Sequence, residues 1–418
     1  MRSNETITLQ NQKVLLIQRP DGLPKPTDVR FQTTELKIPS RHFCPEEHRH
    51  NNNHNDDDDD WLQRPITATD LLLETLYISI DPAMRGWMSS AKSYLPPVKL
   101  GSVMRASAVC RIVASSGLVL WKDFPIGSIV QTEVVGVQSY CLLKNCTLLK
   151  ANKLLTKLED PSRMGRRPTS SPLLSNSGSL SYASYLGVLG TTGLTAYFGL
   201  LKVGKPEPND IVLVSGAAGA TGSIVCQIAK HVIGCARVIG TAGADEKCDW
   251  LVRNKIVDVA INYKTCKSLS KAISNASGKK GVGLVFDNVG SSFLEAALSN
   301  LSRGGRIVLC GAISQYNTSR EQAATISGPR NYMNLLTKRG TMQGFVVFDY
   351  RNEYPKAVAD LVRWIREGKI VCYKEDMRHR GIQNFYSALL SLFEGTNVGK
   401  VVLAIEGTTR PTNGRAKL

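Results

Sequence analysis

From Asp210 onward the chain alternates short Val/Ile/Leu runs with amphipathic stretches. "DIVLVSG" precedes a helical pattern over Gly222–Val232, "ARVIG" precedes Asp245–Asn254, and "VDVAINY" precedes a pattern near Ser268–Ser274. "GVGLVFDNVG" leads into Phe293–Leu301, and "GRIVLCG" and "TMQGFVVF" lead to a last long pattern over Tyr354–Gly368. Near-continuous apolar strands joined by helical crossovers predict a parallel sheet covered on both faces, a doubly wound α/β domain. Before Leu186 the pattern is different. "VLLIQR", "LLLETLYISI", "ASAVCRIVASS" and "GSIVQTEVVGVQSYCLL" are short β-rich pieces bounded by Gly, Pro or Asp, a spacing that predicts a compact, barrel-like β domain. The final "FYSALLSLFEGTNVGKVVLAIE" predicts a helix and a strand that return to it. The expected division is residues 1–186 for the β-rich domain, 187–370 for the doubly wound domain and 371–418 for the return and a tail.

Two stretches interrupt this order. Arg41–Trp61 is an Asn/Asp tract, and Glu159–Tyr182 is rich in Ser, Pro and Arg without sustained period; both predict exposed insertions. Cys44, His48, His50 and His54 could in principle chelate a metal, but the tract has no turn chemistry to fix a geometry. The ten cysteines of the 418-residue chain are scattered without a C-x-x-C pair, which predicts reduced thiols and no structural zinc. The opening "MRSNETITLQ" has no apolar core of a secretory signal, and no apolar run approaches a membrane span. The net charge of +17 comes without an aromatic-basic motif, so it is read as solubility and attraction for anionic ligands rather than nucleic-acid binding. A cytoplasmic location is expected, with peroxisomal import as an alternative because Ala416, Lys417 and Leu418 form a small-basic-leucine tripeptide.

Gly216, Gly219 and Gly222 form G-x-x-G-x-x-G after a strand and at the start of a helix. Alone, such a run could be a tight packing turn. Within a βαβ unit it is read as a dinucleotide turn, where backbone approaches a pyrophosphate and the helix N-terminus favours its charge. The next strand ends "VIGTAG", without the carboxylate that would hold a ribose hydroxyl and repel a 2′-phosphate. Lys247 and Tyr263 could reach a phosphate from adjacent strand tips, which favours NADP; the alternatives are a solvated lysine and a packing aromatic, and Asp245 and Glu246 oppose the electrostatic argument.

"LGTTGLTAYFGL", "SGAAGATGS", "DEKCDWL", "AINYKT", "VFDNVG", "LCGAISQYN", "MQGFVVFDY", "WIREGKI" and "NVGKVV" resemble, in order, the blocks of the zinc-independent medium-chain reductases that include prostaglandin and leukotriene B4 reductases and plant alkenal double-bond reductases. "LYISIDPAMRGWM" is similar to that family's entry motif, with Ala83 where the family has a tyrosine. The resemblance implies a Rossmann domain with a GroES-like β-rich partner and an NADPH-dependent reduction of a carbon–carbon double bond conjugated to a carbonyl. It implies a pyrophosphate loop of Gly219, Ala220, Thr221 and Gly222, and an adenosine-phosphate end of Gly243, Lys247 and Tyr263. Asn288 and the run Cys310, Gly311, Ala312, Ile313, Ser314, Gln315 and Tyr316 would line the cofactor. Phe345, Val346, Val347 and Asn397 would flank the nicotinamide. The assembly expected is a homodimer or a monomer, and the partner a small enal or enone.

The residue implied as catalytic is Tyr316. Hydride addition to the β-carbon of an enone leaves an enolate whose oxygen needs a preorganised donor, and a neutral phenol supplies one without a metal. The alternative is that Tyr316 only fixes the ribose. The Gly-His-Glu zinc motif is absent, and outside the Asn/Asp tract and its edge the histidines are His231 and His379. A quinone reductase of the same fold and a non-catalytic NADPH-binding protein are the competing readings.

Overall fold

A computed structural model describes residues 6–39, 70–115, 123–144, 146–151, 153–164, 180–323, 328–373 and 375–405. The Asn/Asp tract, most of the Glu159–Tyr182 segment and the C-terminal tripeptide lie outside them. Strands β1 (Thr6–Leu16) and β2 (Val29–Pro39) form an antiparallel ribbon, with Thr6 opposite Pro39 and Leu16 opposite Val29. Then come β3 (Leu71–Ser79), β4 (Ala108–Ser115), β5 (Ile129–Thr132), β6 (Tyr140–Leu143) and β7 (Leu155–Lys157). The second half of the chain gives β8 (Ile211–Val214), β9 (Arg237–Ala242), β10 (Val259–Asn262), β11 (Val282–Asp287), β12 (Leu301–Leu309) and β13 (Thr341–Gly344), and β14 (Val402–Ala404) follows.

The parallel sheet has the order β10-β9-β8-β11-β12-β13, so the chain winds outward from β8 in one direction and from β11 in the other. Both faces are covered, and β8 makes the reason plain. Val212 and Val214 pack with Leu194, Phe198, Ile224 and Leu361, while Ile211 and Leu213 pack with Ile273, Phe293 and Ala297. Alternate residues of a strand point to opposite faces, so a strand buried on both sides must be apolar throughout. The switch between β8 and β11 opens a crevice at the C-terminal ends of the strands.

The antiparallel sheet runs β14-β3-β4-β5-β7, with β6 also on β3. β14 and β6 share one side of β3: Val402–Ala404 lie opposite Tyr77–Ser79, and Tyr140–Leu143 lie opposite Leu71–Glu74. Strand β14 thus pairs with the first antiparallel sheet. The ribbon is fastened by Val14 N donating to Val137 O (3.0 Å) and Met104 N donating to Val14 O (2.8 Å).

Three local expectations change. The helix expected from Gly222 begins at Ala220 with Gly219 at its N-cap, and runs on beyond Gln227 in a wider, π-type turn through Ile233. The run "GSIVQTEVVGVQSYCLL" is two strands, β5 and β6. The Glu159–Tyr182 segment is anchored at its described ends rather than exposed throughout. Pro161–Met164 is a short helix, Arg366 Nε donates to Met164 O (2.7 Å), Tyr185 Oη donates to Glu159 O (3.0 Å), and Leu180 is buried. No helix among the described residues is long and apolar enough to cross a membrane.

Candidate active site

A cavity of about 390 Å³ lies in the cleft between the sheets. Its floor is the turn after β8. Gly216 takes a positive φ of 58°, Ala217 N donates to Thr241 O (2.9 Å) and Gly219 N donates to Gly216 O (2.9 Å). A β-carbon on Gly222 would stand 2.3 Å from Gly216 O, so only glycine lets the helix begin this close to the turn. The first intrahelical bond is Ser223 N to Gly219 O (3.0 Å), which leaves the N–H groups of Ala220, Thr221 and Gly222 without helical acceptors at the positive end of the helix dipole.

The turn is stitched to the loop after β11. Asp287 Oδ1 accepts from Ser215 Oγ (2.8 Å), Val289 N (2.8 Å) and Gly290 N (3.0 Å), and Oδ2 also receives Gly290 N (3.1 Å). Asn288 donates from its backbone to Ser215 Oγ and from Nδ2 to Ser215 O, both at 2.7 Å. Burial pushes the Asp287 carboxyl above its ordinary value, and the N–H and hydroxyl donors oppose that rise.

At the far end, Gly243, Lys247 and Tyr263 line the cavity together. Lys247 Nζ donates to Gly395 O (2.6 Å). Burial, then the neighbouring charges of Lys264 and Arg378, lower its affinity for its proton. An anion would relieve this concentration of cations. Arg378 grips Asp376 with Nε (2.9 Å) and Nη2 (2.7 Å). Asp245 is engaged locally by Asn262 Nδ2 (2.7 Å).

The loop after β12 supplies the opposite end. Tyr316 Oη accepts from Ala312 N (3.2 Å) and would lie 2.9 Å from a β-carbon on Gly311. Burial raises its pKa, helped by Cys310 and Asp287, so the phenol is a neutral donor. Burial likewise pushes the Cys310 thiol up to about 12. Across the cavity stand Ala83, Trp87 and Tyr94. Burial raises Tyr94 as well, with Tyr316 the next contributor, so the two phenols face one space.

Of the residues singled out in the sequence, Gly219, Ala220, Thr221, Gly222, Gly243, Lys247, Tyr263, Asn288, Cys310, Gly311, Ile313, Tyr316, Phe345, Val346, Val347 and Asn397 line this cavity. Ala312, Ser314 and Gln315 do not; they shape the turn that carries Tyr316. Ser314 Oγ donates to Val289 O (2.6 Å), and Thr318 Oγ1 donates to Gln315 O (2.8 Å). Sequence reasoning missed Thr191, Thr192 and Thr195 on the helix Thr191–Phe198, whose i, i+4 spacing was a readable signal. It also missed Lys264, Arg378, Asp81 and Lys400, which no local pattern connects. Among the described residues no three His, Cys, Asp or Glu side chains converge as metal ligands.

Comparison with known proteins gives a consistent picture. The family described as zinc-binding dehydrogenase matches residues 220–364, and the N-terminal domain of oxidoreductase matches residues 62–151. Prostaglandin reductase 1 of Bos taurus is 37% identical over 81% of this chain and 90% of its own length. The NADP(+)-dependent 2-alkenal reductase of Nicotiana tabacum is 32% identical over 95% of this chain and 98% of its own. The crystal structure of CurA from Vibrio vulnificus in complex with NADPH superposes with a TM-score of 0.73 at 31% identity, covering 95% of this chain and all of that one.

Proposed function

The chain belongs to the zinc-independent medium-chain dehydrogenase/reductase family, and we propose that it is an NADPH-dependent oxidoreductase that reduces the carbon–carbon double bond of α,β-unsaturated aldehydes or ketones. The observation that carries this reading is the single cavity running from a helix N-terminus through the Tyr316 hydroxyl to an apolar wall. Its residues suit the cofactor. Gly222 lets the helix begin close against the turn, where its N-terminal N–H groups suit a pyrophosphate, and Lys247 with its cationic neighbours suits a 2′-phosphate.

NADPH, when bound, supplies a hydride to the substrate's β-carbon. Tyr316 holds the substrate oxygen by hydrogen bond as negative charge gathers there, and its raised pKa keeps the proton on the phenol until that moment. Ala312 N–H, donating to the Tyr316 hydroxyl oxygen, fixes the phenol's direction. Residues 1–186 and 371–418 would hold the substrate, and 187–370 the cofactor, a division supported by the pairing of β14 with β3.

The test is NADPH oxidation by purified protein over alkenals, cyclic enones, keto-prostaglandins and quinones. Turnover of enals or enones with double-bond reduction seen in the product supports the proposal; turnover of quinones alone overturns it.

A further inference from the structure

The segment Thr396–Val401 runs along the cavity before β14, and its bonds join two parts of the site. Gly399 N donates to Ala218 O (2.9 Å) in the glycine turn. Two residues on, Val401 O accepts from Ile80 N (3.2 Å) at the end of β3. Between them Lys400 is buried, its side chain 6% exposed. Nζ donates to Ile80 O (2.7 Å) and to Asp81 Oδ1 (2.6 Å). Asp81 receives Ser79 Oγ on its other oxygen (2.5 Å), and its carbonyl accepts Met84 N (3.0 Å), the first bond of the helix Ala83–Trp87. That helix brings Ala83 and Trp87 to the wall that faces Tyr316.

A buried ion pair is weak evidence for stability, since apolar replacements of similar volume are often as stable. What this pair does hold is a distance. One backbone bond ties the segment to the cofactor turn, a second ties it to Ile80, and the ammonium reaches one residue further, to the Asp81 carboxylate at the start of the substrate wall. We propose that Lys400 is a positioning residue: acting through Asp81, it sets the separation between the substrate wall and the glycine turn, and with it the alignment for hydride transfer. This rests on the NADPH-dependent reading above. A misplacement of about 1 Å can cost on the order of a hundredfold in rate. In the step concerned, the C4–H bond of the dihydronicotinamide breaks, its hydrogen and electron pair pass to the β-carbon, the double bond opens to an enolate, and a solvent proton completes the α-carbon.

Lys400→Met and Asp81→Asn are compared with wild type for NADPH affinity, kcat, and the isotope effect on kcat with NADPH deuterated at the transferred position. The expected result is a kcat lowered about tenfold to a hundredfold, NADPH affinity within about threefold, and an isotope effect at least as large as that of wild type, because hydride transfer remains or becomes the slowest step. Lys400→Arg, which keeps a donor for Asp81, recovers part of the loss. If Lys400→Met does not fold, Asp81→Asn decides, because that carboxylate is 30% exposed. An unchanged kcat in a folded variant that binds NADPH, or an isotope effect below that of wild type, overturns the proposal, as does a kcat loss matched by an equal loss of NADPH-binding sites, since a purely structural loss scales the amount of active enzyme. Turnover of quinones but not enones would overturn the functional reading alone, and the same isotope measurement on a quinone would still judge Lys400. No turnover of any acceptor overturns both.

Discussion

The Tyr263 hydroxyl lies 2.7 Å from the point a β-carbon on Gly243 would occupy. The first residue past β9 thus has no side chain, and the first residue past β10 fills the space with a phenol. Lys247, one helical turn on, completes the wall. The uncharged strand tip is therefore a built recess rather than an absence.

Lys247→Ala should raise the KM for NADPH about tenfold to a hundredfold, the range for losing a hydrogen bond to a charged group, and change that for NADH little. Steady-state kinetics with both cofactors check this. Equal effects on the two would show that Lys247 serves the Gly395 carbonyl and not a phosphate.

Tyr316→Phe should lower kcat about a hundredfold, on the order of 3 kcal/mol for one oxyanion donor, while NADPH affinity stays near wild type. Because burial raises the Tyr316 pKa, activity limited by this phenol should remain flat through neutral pH and fall only above its ordinary value of about 10. A fall in kcat near pH 8 that vanished in the Phe variant would contradict this ionisation state.

The parallel sheet was readable because burial on both faces leaves a strand no choice but apolar residues, as Ile211–Val214 display. The β1–β2 ribbon was only partly readable. Asn11 and Lys13 interrupt the alternation that Ile7 and Leu9 begin, and much of the pair is exposed, so pairing rather than burial extends β1 beyond "VLLIQR". The helix starts at Ala220, two residues before the expected Gly222, because Gly222 is needed inside the first turn for close approach to Gly216. Lys264, Arg378 and the Lys400–Asp81 pair were invisible for another reason. Lys264 and Arg378 approach Lys247, and Lys400 reaches Asp81, from other parts of the chain, and a charge on a loop carries no local period.

Gly222→Ala follows from that geometry. The added methyl would stand 2.3 Å from Gly216 O and 2.9 Å from its carbonyl carbon, both backbone atoms that cannot rotate away. Overpacking of this kind costs about 1–3 kcal/mol. Denaturant unfolding should show that loss, and NADPH binding should weaken because the turn itself must shift. Wild-type affinity in a destabilised variant would mean that the helix, not the turn, gives way.

Asp287→Asn tests the stitch between β8 and β11. The carboxyl accepts four donor contacts, and an amide can reproduce the pattern only by turning an N–H toward Ser215 or Gly290. At neutral pH the variant should lose about 1–3 kcal/mol, the cost of leaving a buried donor unpaired. The pH dependence carries the sharper expectation. Burial raises the folded pKa of Asp287 above its ordinary carboxylate value. Protonation therefore favours the fold: the stabilising contribution is complete below about pH 4, the unfolded value, and is lost as pH rises through the higher folded one. The amide of the variant does not titrate. The stability gap between wild type and variant should widen as pH is lowered from 7 toward 4, read from denaturant midpoints at constant ionic strength. A gap that narrowed over that range would mean that the N–H and hydroxyl donors outweigh burial, placing the folded pKa below the ordinary value.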